Sequence, residues 1–307
     1  MEREERKPVA CPVCGSLRND VLWAKTSADL VIMWKQHLGM DISAEWRSTD
    51  ELELRECRVC EVQYFLPCVT GSESLYHELQ KHDWYYMVDK WEHRNAFSEI
   101  LPGQKVCEIG SGTGAFVERV NRAGRGDAVG LELNSEAAAL ARMRSVPVAC
   151  VRLEEYAEKN QKMYDFVCSF QVLEHVADPL GFVKSGGALL KSGGKLVLTV
   201  PNRDSFTKWF ENVLDMPPHH VTRWSVRAMT KLLATCGFCN IHVHYEPLAI
   251  YHVDDYVRSW TLRTQGSVIG KLFQHWRVKR LLTRLLSFNY PRQFIRGHTF
   301  YVSARLS

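Results

Sequence analysis

Short apolar blocks recur from about residue 105 to the end of the chain, and between them apolar residues return at every third or fourth position. Blocks of the first kind suit strands buried on both faces, and the second pattern suits amphipathic helices that cover them. Strands are predicted near 105–109, 127–132, 148–151, 164–169 and 195–200, alternating with helical stretches, and two more near 239–246 and 298–305. A βα series of this kind with right-handed crossovers gives an α/β, doubly wound sheet, and its ligand binds outside the carboxyl ends of the strands. Upstream, residues 72–100 read as a helical cover rich in Trp and Tyr. Residues 27–40 read as a helix with Ser27 at its N-cap and Gly39 near its end, and 51–55 as a strand. A helix over 226–235, stopped at Gly237, precedes the strand that starts at Phe238.

The end of the first sheet strand carries the string VCEIGSGTG, residues 106–114. Gly110, Gly112 and Gly114 remove the Cβ atoms that would keep a ligand off the backbone and permit a tight strand-to-helix turn. The same residues, with Ala115, satisfy the pattern of dinucleotide-binding turns, so an NAD or FAD enzyme competes with an adenosyl-sulfonium enzyme here. Charge separates the two. Glu108, two residues before the first glycine, would oppose a pyrophosphate and attract the ammonium and sulfonium of S-adenosylmethionine. Glu132 ends the next strand about 20 residues after the turn, the spacing at which an acid meets ribose hydroxyls.

The strings VCEIGSGTG, GLELN, YDFVCSFQVLEHVADP and LKSGGKLVLTVPN, in this order, resemble the class I S-adenosylmethionine-dependent methyltransferases over about residues 100–245 and again at the last strand. The LEHVxDP string, PPHHVTRWS (217–225) and the paired N-terminal cysteines are similar to a bacterial group whose members often act on sugars, glycolipids and other small biosynthetic intermediates. The resemblance implies a seven-stranded Rossmann-like sheet with an antiparallel last strand. It also implies cofactor contacts at Glu108, Gly110, Ser111, Gly112, Gly114, Glu132 and Leu133, and a methyl-transfer site lined by Phe170 and Gln171. Where that family commonly places an acid after the third strand for the adenine amino group, this chain reads VRLEEY, and Glu154 is the candidate.

Cys11, Cys14, Cys57 and Cys60 form two CxxC pairs, a spacing that grips Zn²⁺ in a structural site with no open coordination position. The 42 residues between Cys14 and Cys57 exceed the span of a compact ribbon, so a segment loops out between the knuckles. A redox dithiol competes, and the absence of a preceding βαβ pattern argues against it. Cys236 and Cys239 read as buried thiols where a helix end meets a strand, with zinc ligation through His242 or His244 as the competing reading. The expected division is a zinc-binding module over 1–70, a helical cover over 71–102 and the methyltransferase domain over 103–307, with a helical insertion at 248–296 before the last strand.

Composition is that of an ordinary globular chain, 46% hydrophobic and 24% charged over 307 residues, with no apolar run of membrane-span length. The charged first ten residues point to cytoplasmic residence. Charge is unevenly placed. Ten Lys and Arg and no acid lie between Tyr256 and Ser307, so the chain's +4 leaves −6 on the first 255 residues once those ten are set aside. Apolar positions such as Val268, Leu272 and Trp276 recur at helical spacing among these cations, giving a basic amphipathic helix over 268–286. Such a helix packs on the domain with its charges solvated, touches a membrane surface or lipid-linked substrate, or meets a phosphorylated or nucleotide-linked one. The mild overall charge weighs against nucleic acid.

Methyl transfer needs alignment of the acceptor and, for a hydroxyl or carbon acid, one base. His220 and His219, in the loop after the fifth sheet strand, are the leading candidates, and His175, expected to begin the helix after the fourth, is the third. The function expected is methylation of a small or lipid-linked saccharide or similar metabolite. A catalytically silent scaffold for partner enzymes and an RNA or protein methyltransferase are the alternatives.

Overall fold

A computed structural model of the protein describes residues 9–46, 51–82, 85, 87, 89–267 and 273–307. Its N-terminal part is a small antiparallel sheet. Strand β1 (Asn19–Thr26) leads into α1 (Ser27–Leu38), and β2 (Glu51–Cys57) and β3 (Gln63–Leu66) follow. The cap of α1 is Thr26 rather than Ser27: the Thr26 hydroxyl accepts from the Asp29 N–H at 3.1 Å, and the Asp29 carboxylate accepts from the Thr26 N–H at 3.2 Å. This reciprocal box fixes the helix start one residue earlier than expected. The expected cover contains two helices, α2 (Glu73–Leu79) and α3 (Trp91–Glu99).

The large sheet is built from β4 (Gln104–Ile109), β5 (Gly126–Glu132), β6 (Val148–Cys150), β7 (Tyr164–Phe170), β8 (Leu190–Pro201), β10 (Phe238–Pro247) and β11 (Arg296–Leu306). Its order is β10-β11-β8-β7-β4-β5-β6, with β11 antiparallel to both neighbours. This is the expected doubly wound seven-stranded sheet. Alternation along β8 shows how its two faces are used. Leu196, Leu198 and Val200 join the core under α7 (Pro179–Leu189) and α8 (Val226–Thr235), while Val197 joins Val106, Phe166 and Phe116 on the other face. Phe166 is 1% exposed, so truncation to Ala would cost about 3–5 kcal/mol.

Strand β9 (Thr222–Arg223) belongs to the small sheet, pairing with β3 through Gln63–Arg223 and Tyr64–Thr222. Cys11, Cys57, Cys60, Val62 and Tyr64 share one apolar cluster with Leu173, Trp224 and the β8 face. The N-terminal module is therefore sewn to the large sheet by hydrogen bonds and by a common core.

The insertion contains α9 (Val253–Arg263) and α10 (Trp276–Leu286). Positions 268–272 of the expected basic helix lie outside the described residues. Only Leu286 of α10 is buried, with Leu282 partly so, while Trp276, Leu281 and Leu285 are exposed. Among the described residues no helix is long and apolar enough to cross a membrane.

Candidate active site

β4 and β5 run parallel, so the glycine turn and Glu132 arrive at the same sheet end. The turn is stapled to β5 by the N–H groups of Gly110 and Ser111, both donating to the Leu131 carbonyl at 2.8 and 3.0 Å. Gly110, Gly112 and Gly114 have φ of +74°, +53° and +80°, which L side chains rarely adopt. A Cβ on Gly110 would stand 2.4 Å from Val172 Cγ2, and one on Gly114 2.8 Å from Val146 Cγ1. The Gly112 N–H donates to Glu132 Oε2 at 2.7 Å and the Asn134 N–H to Glu132 Oε1 at 2.8 Å, so backbone groups orient this carboxylate.

Glu108 is 3% exposed and its Oε2 is buried without a hydrogen-bond partner among the described residues. Burial pushes its carboxyl well above the usual range. A buried carboxylate with one oxygen unpartnered, beside an open-backbone turn, fits the cationic end of S-adenosylmethionine, which would restore its charge. Ser111 Oγ is likewise buried without a partner among the described residues.

The other expected cofactor contacts fall in different settings. Leu133 is 66% exposed beside Glu132. Glu154 lies in the first turn of α6 (Leu153–Lys159), exposed, 3.5 Å from Arg152. Phe170 is buried between His93 and Phe116, with ring centroids 4.9 and 5.1 Å away. Gln171 has φ +58°, and its Nε2 donates towards Thr199 and Thr299 hydroxyls at 3.5 and 3.4 Å.

The three histidines meet in one cluster. Ring centroids are 4.5 Å apart for His175 and His219, 4.8 Å for His175 and His220, and 4.4 Å for the stacked His219 and His220. His175 is not at a helix start. It closes the 3₁₀ turn Leu173–His175, and α7 begins four residues later because Asp178 caps it, accepting from the Gly181 N–H at 2.8 Å, with Pro179 in the first helical position. His175 Nδ1 donates to the His219 carbonyl at 2.6 Å and His219 Nδ1 to the Leu214 carbonyl at 2.9 Å. His220 Nδ1 faces Asp215 Oδ1 at 3.3 Å. These partners hold the Nδ1 side of each ring, and His219 Nε2 is buried without a hydrogen-bond partner among the described residues. Burial drives His175 down to about 3, and burial also drives His219 well below its ordinary value. Burial alone would raise Asp215, yet the His220 hydrogen bond holds it below its usual range.

Two carboxylates here were not singled out from the sequence. Glu174, inside the LEHV string, is 1% exposed with both oxygens unpartnered among the described residues, and burial raises it to about 8. Glu246, at the end of β10, is hydrogen-bonded by Thr299 and raised to about 7 by burial and then by Glu92. Glu246 could have been flagged as the sole acid at the end of that strand, whereas its pairing with Thr299 needs the antiparallel register. A void of about 10 Å³ beside His220 is lined by Glu174, Asp215, Pro201 and Arg203 among others.

Cys11, Cys14, Cys57 and Cys60 bring their sulfurs within 4.8 Å of one another, with 3.5 Å between Cys11 and Cys60 and between Cys14 and Cys57. A tetrahedron of sulfurs about 2.3 Å from Zn²⁺ has edges of about 3.8 Å, so the donor set fits that ion. The N–H groups of Val13 and Val59 donate to Cys11 and Cys57 Sγ at 3.4 Å, stabilising thiolates. The Cys60 hydrogen bond draws Cys11 down to about 5. Cys236 is partly buried, and Cys239, expected to be buried, is exposed because β10 is the sheet edge. Neither joins a ligand cluster among the described residues.

Residues 81–243, just over half of the chain, match the family model described as methyltransferase domain. The ubiquinone biosynthesis O-methyltransferase of Vibrio vulnificus (strain YJ016) is 32% identical over 167 residues, 48% of this chain and 71% of that protein. That of Aliivibrio fischeri (strain MJ11) is 33% identical over 110 residues, 34% of this chain, and the chain spans about half (47%) of its length. Among solved structures, a SAM-dependent methyltransferase of Archaeoglobus fulgidus aligns with a TM-score of 0.50 at 16% identity, covering 76% of this chain and 95% of that one. One from Thermotoga maritima aligns with a TM-score of 0.50 at 19% identity, covering 76% and 98%. With the sheet order, the glycine turn and the carboxylate pair already in place, the chain belongs to the methyltransferase-domain family and has the class I S-adenosylmethionine-dependent fold.

Proposed function

We propose that this chain transfers a methyl group from S-adenosylmethionine to a hydroxyl of a small biosynthetic intermediate. The observation that carries the reading is the buried Glu108 beside the glycine turn, its Oε2 unpartnered among the described residues, with Glu132 already aimed by the Gly112 and Asn134 N–H groups. Glu108 would hold the ammonium end, Glu132 the ribose hydroxyls and the glycine turn the backbone-facing edge, with Leu133 and Glu154 on the adenine side. The O-methyltransferase names of the relatives support a hydroxyl acceptor. A sugar or glycolipid is the finer reading, supported by the likeness of LEHVxDP and PPHH to sugar-modifying enzymes.

S-adenosylmethionine supplies an activated methyl carbon, which leaves the protein to align the acceptor and take its proton. His220 is the proposed base: Asp215 holds Nδ1, and Nε2 accepts the proton from the acceptor hydroxyl. His219 stacks on it and His175 meets it edge-on, fixing the ring's plane. Cys11, Cys14, Cys57 and Cys60 would hold a structural Zn²⁺. In this reading residues 1–70 are the metal module, 71–102 the cover and 103–307 the catalytic domain, with the insertion at 248–296. The exposed apolar side chains of α10 support peripheral membrane contact there.

The test is transfer of labelled methyl from S-adenosylmethionine into an extract of host cells lacking the gene, followed by partition. Label in the aqueous or organic small-molecule fraction is expected. Label confined to macromolecules, or no binding of S-adenosylhomocysteine, would overturn the reading.

A further inference from the structure

A cleft of about 730 Å³ opens between the loop that leaves β8 and helix α9 of the insertion. Its lining is aromatic and cationic together. The Lys208 ammonium lies 5.5 Å from the Trp209 ring, and the Arg263 guanidinium lies 6.0 Å from Trp209 and 5.4 Å from Trp260. Arg296, at the start of β11, stands 4.5 Å over Tyr245. Trp260 and Arg263 are three apart on α9, so one helix face presents both.

Charge in the cleft is not balanced. Glu61, one of its two acids, is bound by Arg227 at 2.7 Å, and the other, Asp204, stands 3.8 Å from Arg203. Among the described residues no ion pair engages Lys208, Arg263 or Arg296. A guanidinium laid on a ring keeps its in-plane N–H groups free, in the geometry that grips an oxyanion bidentately. The Trp209 indole, 42% exposed, offers flat apolar area to whatever adjoins that anion, while Trp260 is backed by Phe273 in a stack of 5.4 Å.

The position ties the cleft to the chemistry. Asn202 and Ser205, in its lining, follow directly on β8, whose Thr199 carbonyl accepts from the Gln171 N–H at 3.0 Å. Their neighbours Pro201 and Arg203 line the void beside His220. We propose that this cleft binds the acceptor through a diphosphate, held by Lys208, Arg263 and Arg296, with the part next to the diphosphate stacked on Trp209. The proposal rests on the methyltransferase reading above and names its acceptor class. A nucleotide-linked and a lipid-linked acceptor share this chemistry.

Calorimetric titration of the full chain with inorganic pyrophosphate, uridine diphosphate and farnesyl diphosphate tests it, with S-adenosylhomocysteine titrated in parallel. Pyrophosphate is expected to bind, and the Arg263→Gln, Lys208→Gln double variant to weaken it by tenfold or more. Tighter binding of uridine diphosphate supports a nucleotide-linked acceptor, and tighter binding of farnesyl diphosphate a lipid-linked one. Failure of all three to bind, or unchanged affinity in the double variant while S-adenosylhomocysteine still binds, would overturn the diphosphate site. Loss of S-adenosylhomocysteine binding by the unaltered protein would instead overturn the methyltransferase reading and leave any diphosphate binding to be explained by another activity.

Discussion

At the glycine turn, the groups proposed to hold the cofactor come from one uninterrupted stretch and the strand beside it. The histidine cluster instead draws Tyr76, His175, Asp215, His219, His220 and His298 from four separated segments. The first is shaped by backbone conformation, and its partners are N–H groups. The second is shaped by buried imidazoles, two of which donate to the His219 and Leu214 carbonyls while the third meets the Asp215 carboxylate. Backbone sites fail by collision, whereas side-chain sites fail by loss of a proton acceptor or of a tautomer.

The sharpest test of that contrast is Gly110→Val. With φ at +74° and a Cβ 2.4 Å from Val172, the turn cannot keep its shape, and affinity for S-adenosylhomocysteine should fall about a thousandfold, roughly 4 kcal/mol, by calorimetry. A loss under tenfold would mean that the ligand does not lie on this turn. His220→Asn should lower kcat about a hundredfold and leave S-adenosylhomocysteine affinity within about twofold. Equal losses in both would make His220 part of the cofactor site and erase the distinction.

Cys57→Ser should reduce bound zinc to background and lower the melting temperature by about 5–10 °C, read by metal analysis and calorimetry. Unchanged zinc content would remove the metal from the module. Glu174→Gln probes the polar side by pH. With its carboxyl raised from 4.5 to about 8, Glu174 contributes stability that is full below pH 4.5 and lost as pH rises through 8. The Gln variant should therefore gain stability over the unaltered protein across that window, on the order of 2–4 kcal/mol at the alkaline end. A constant difference between the two from pH 5 to 8.5 would show that Glu174 does not titrate there. Glu154→Ala is the smallest: exposed and beside Arg152, it should change S-adenosylhomocysteine affinity less than about twofold.

The same contrast decides what could be read from the sequence. The central strands β4, β7 and β8 were legible because burial on both faces writes a continuous apolar run, the edge strand β10 was legible from its alternation at Ile241, Val243 and Tyr245, and the turn was legible because glycine spacing and flanking acids are local. The cap at Thr26 was missed by one residue because Thr26 and Ser27 are equal on pattern, and only the Asp29 contact separates them. Strand β1 went unseen because it is exposed on both faces at Val21 and Leu22, with no clean alternation. His175, His219 and His220 were each picked out, but their convergence, and the burial of Glu174 and Glu246, depend on packing between segments far apart in the chain.

Strand β9 is two residues long, and it follows His219 and His220 by one position. Through it the histidine loop hangs from β3, and β3 follows the Cys57–Cys60 knuckle. A chelator that strips the thiolate site would then act as an inhibitor from a distance, lowering turnover at saturating S-adenosylmethionine while leaving the affinity for it intact. In the cell, the supply of zinc would set how much of the protein is working, independently of how much cofactor is present.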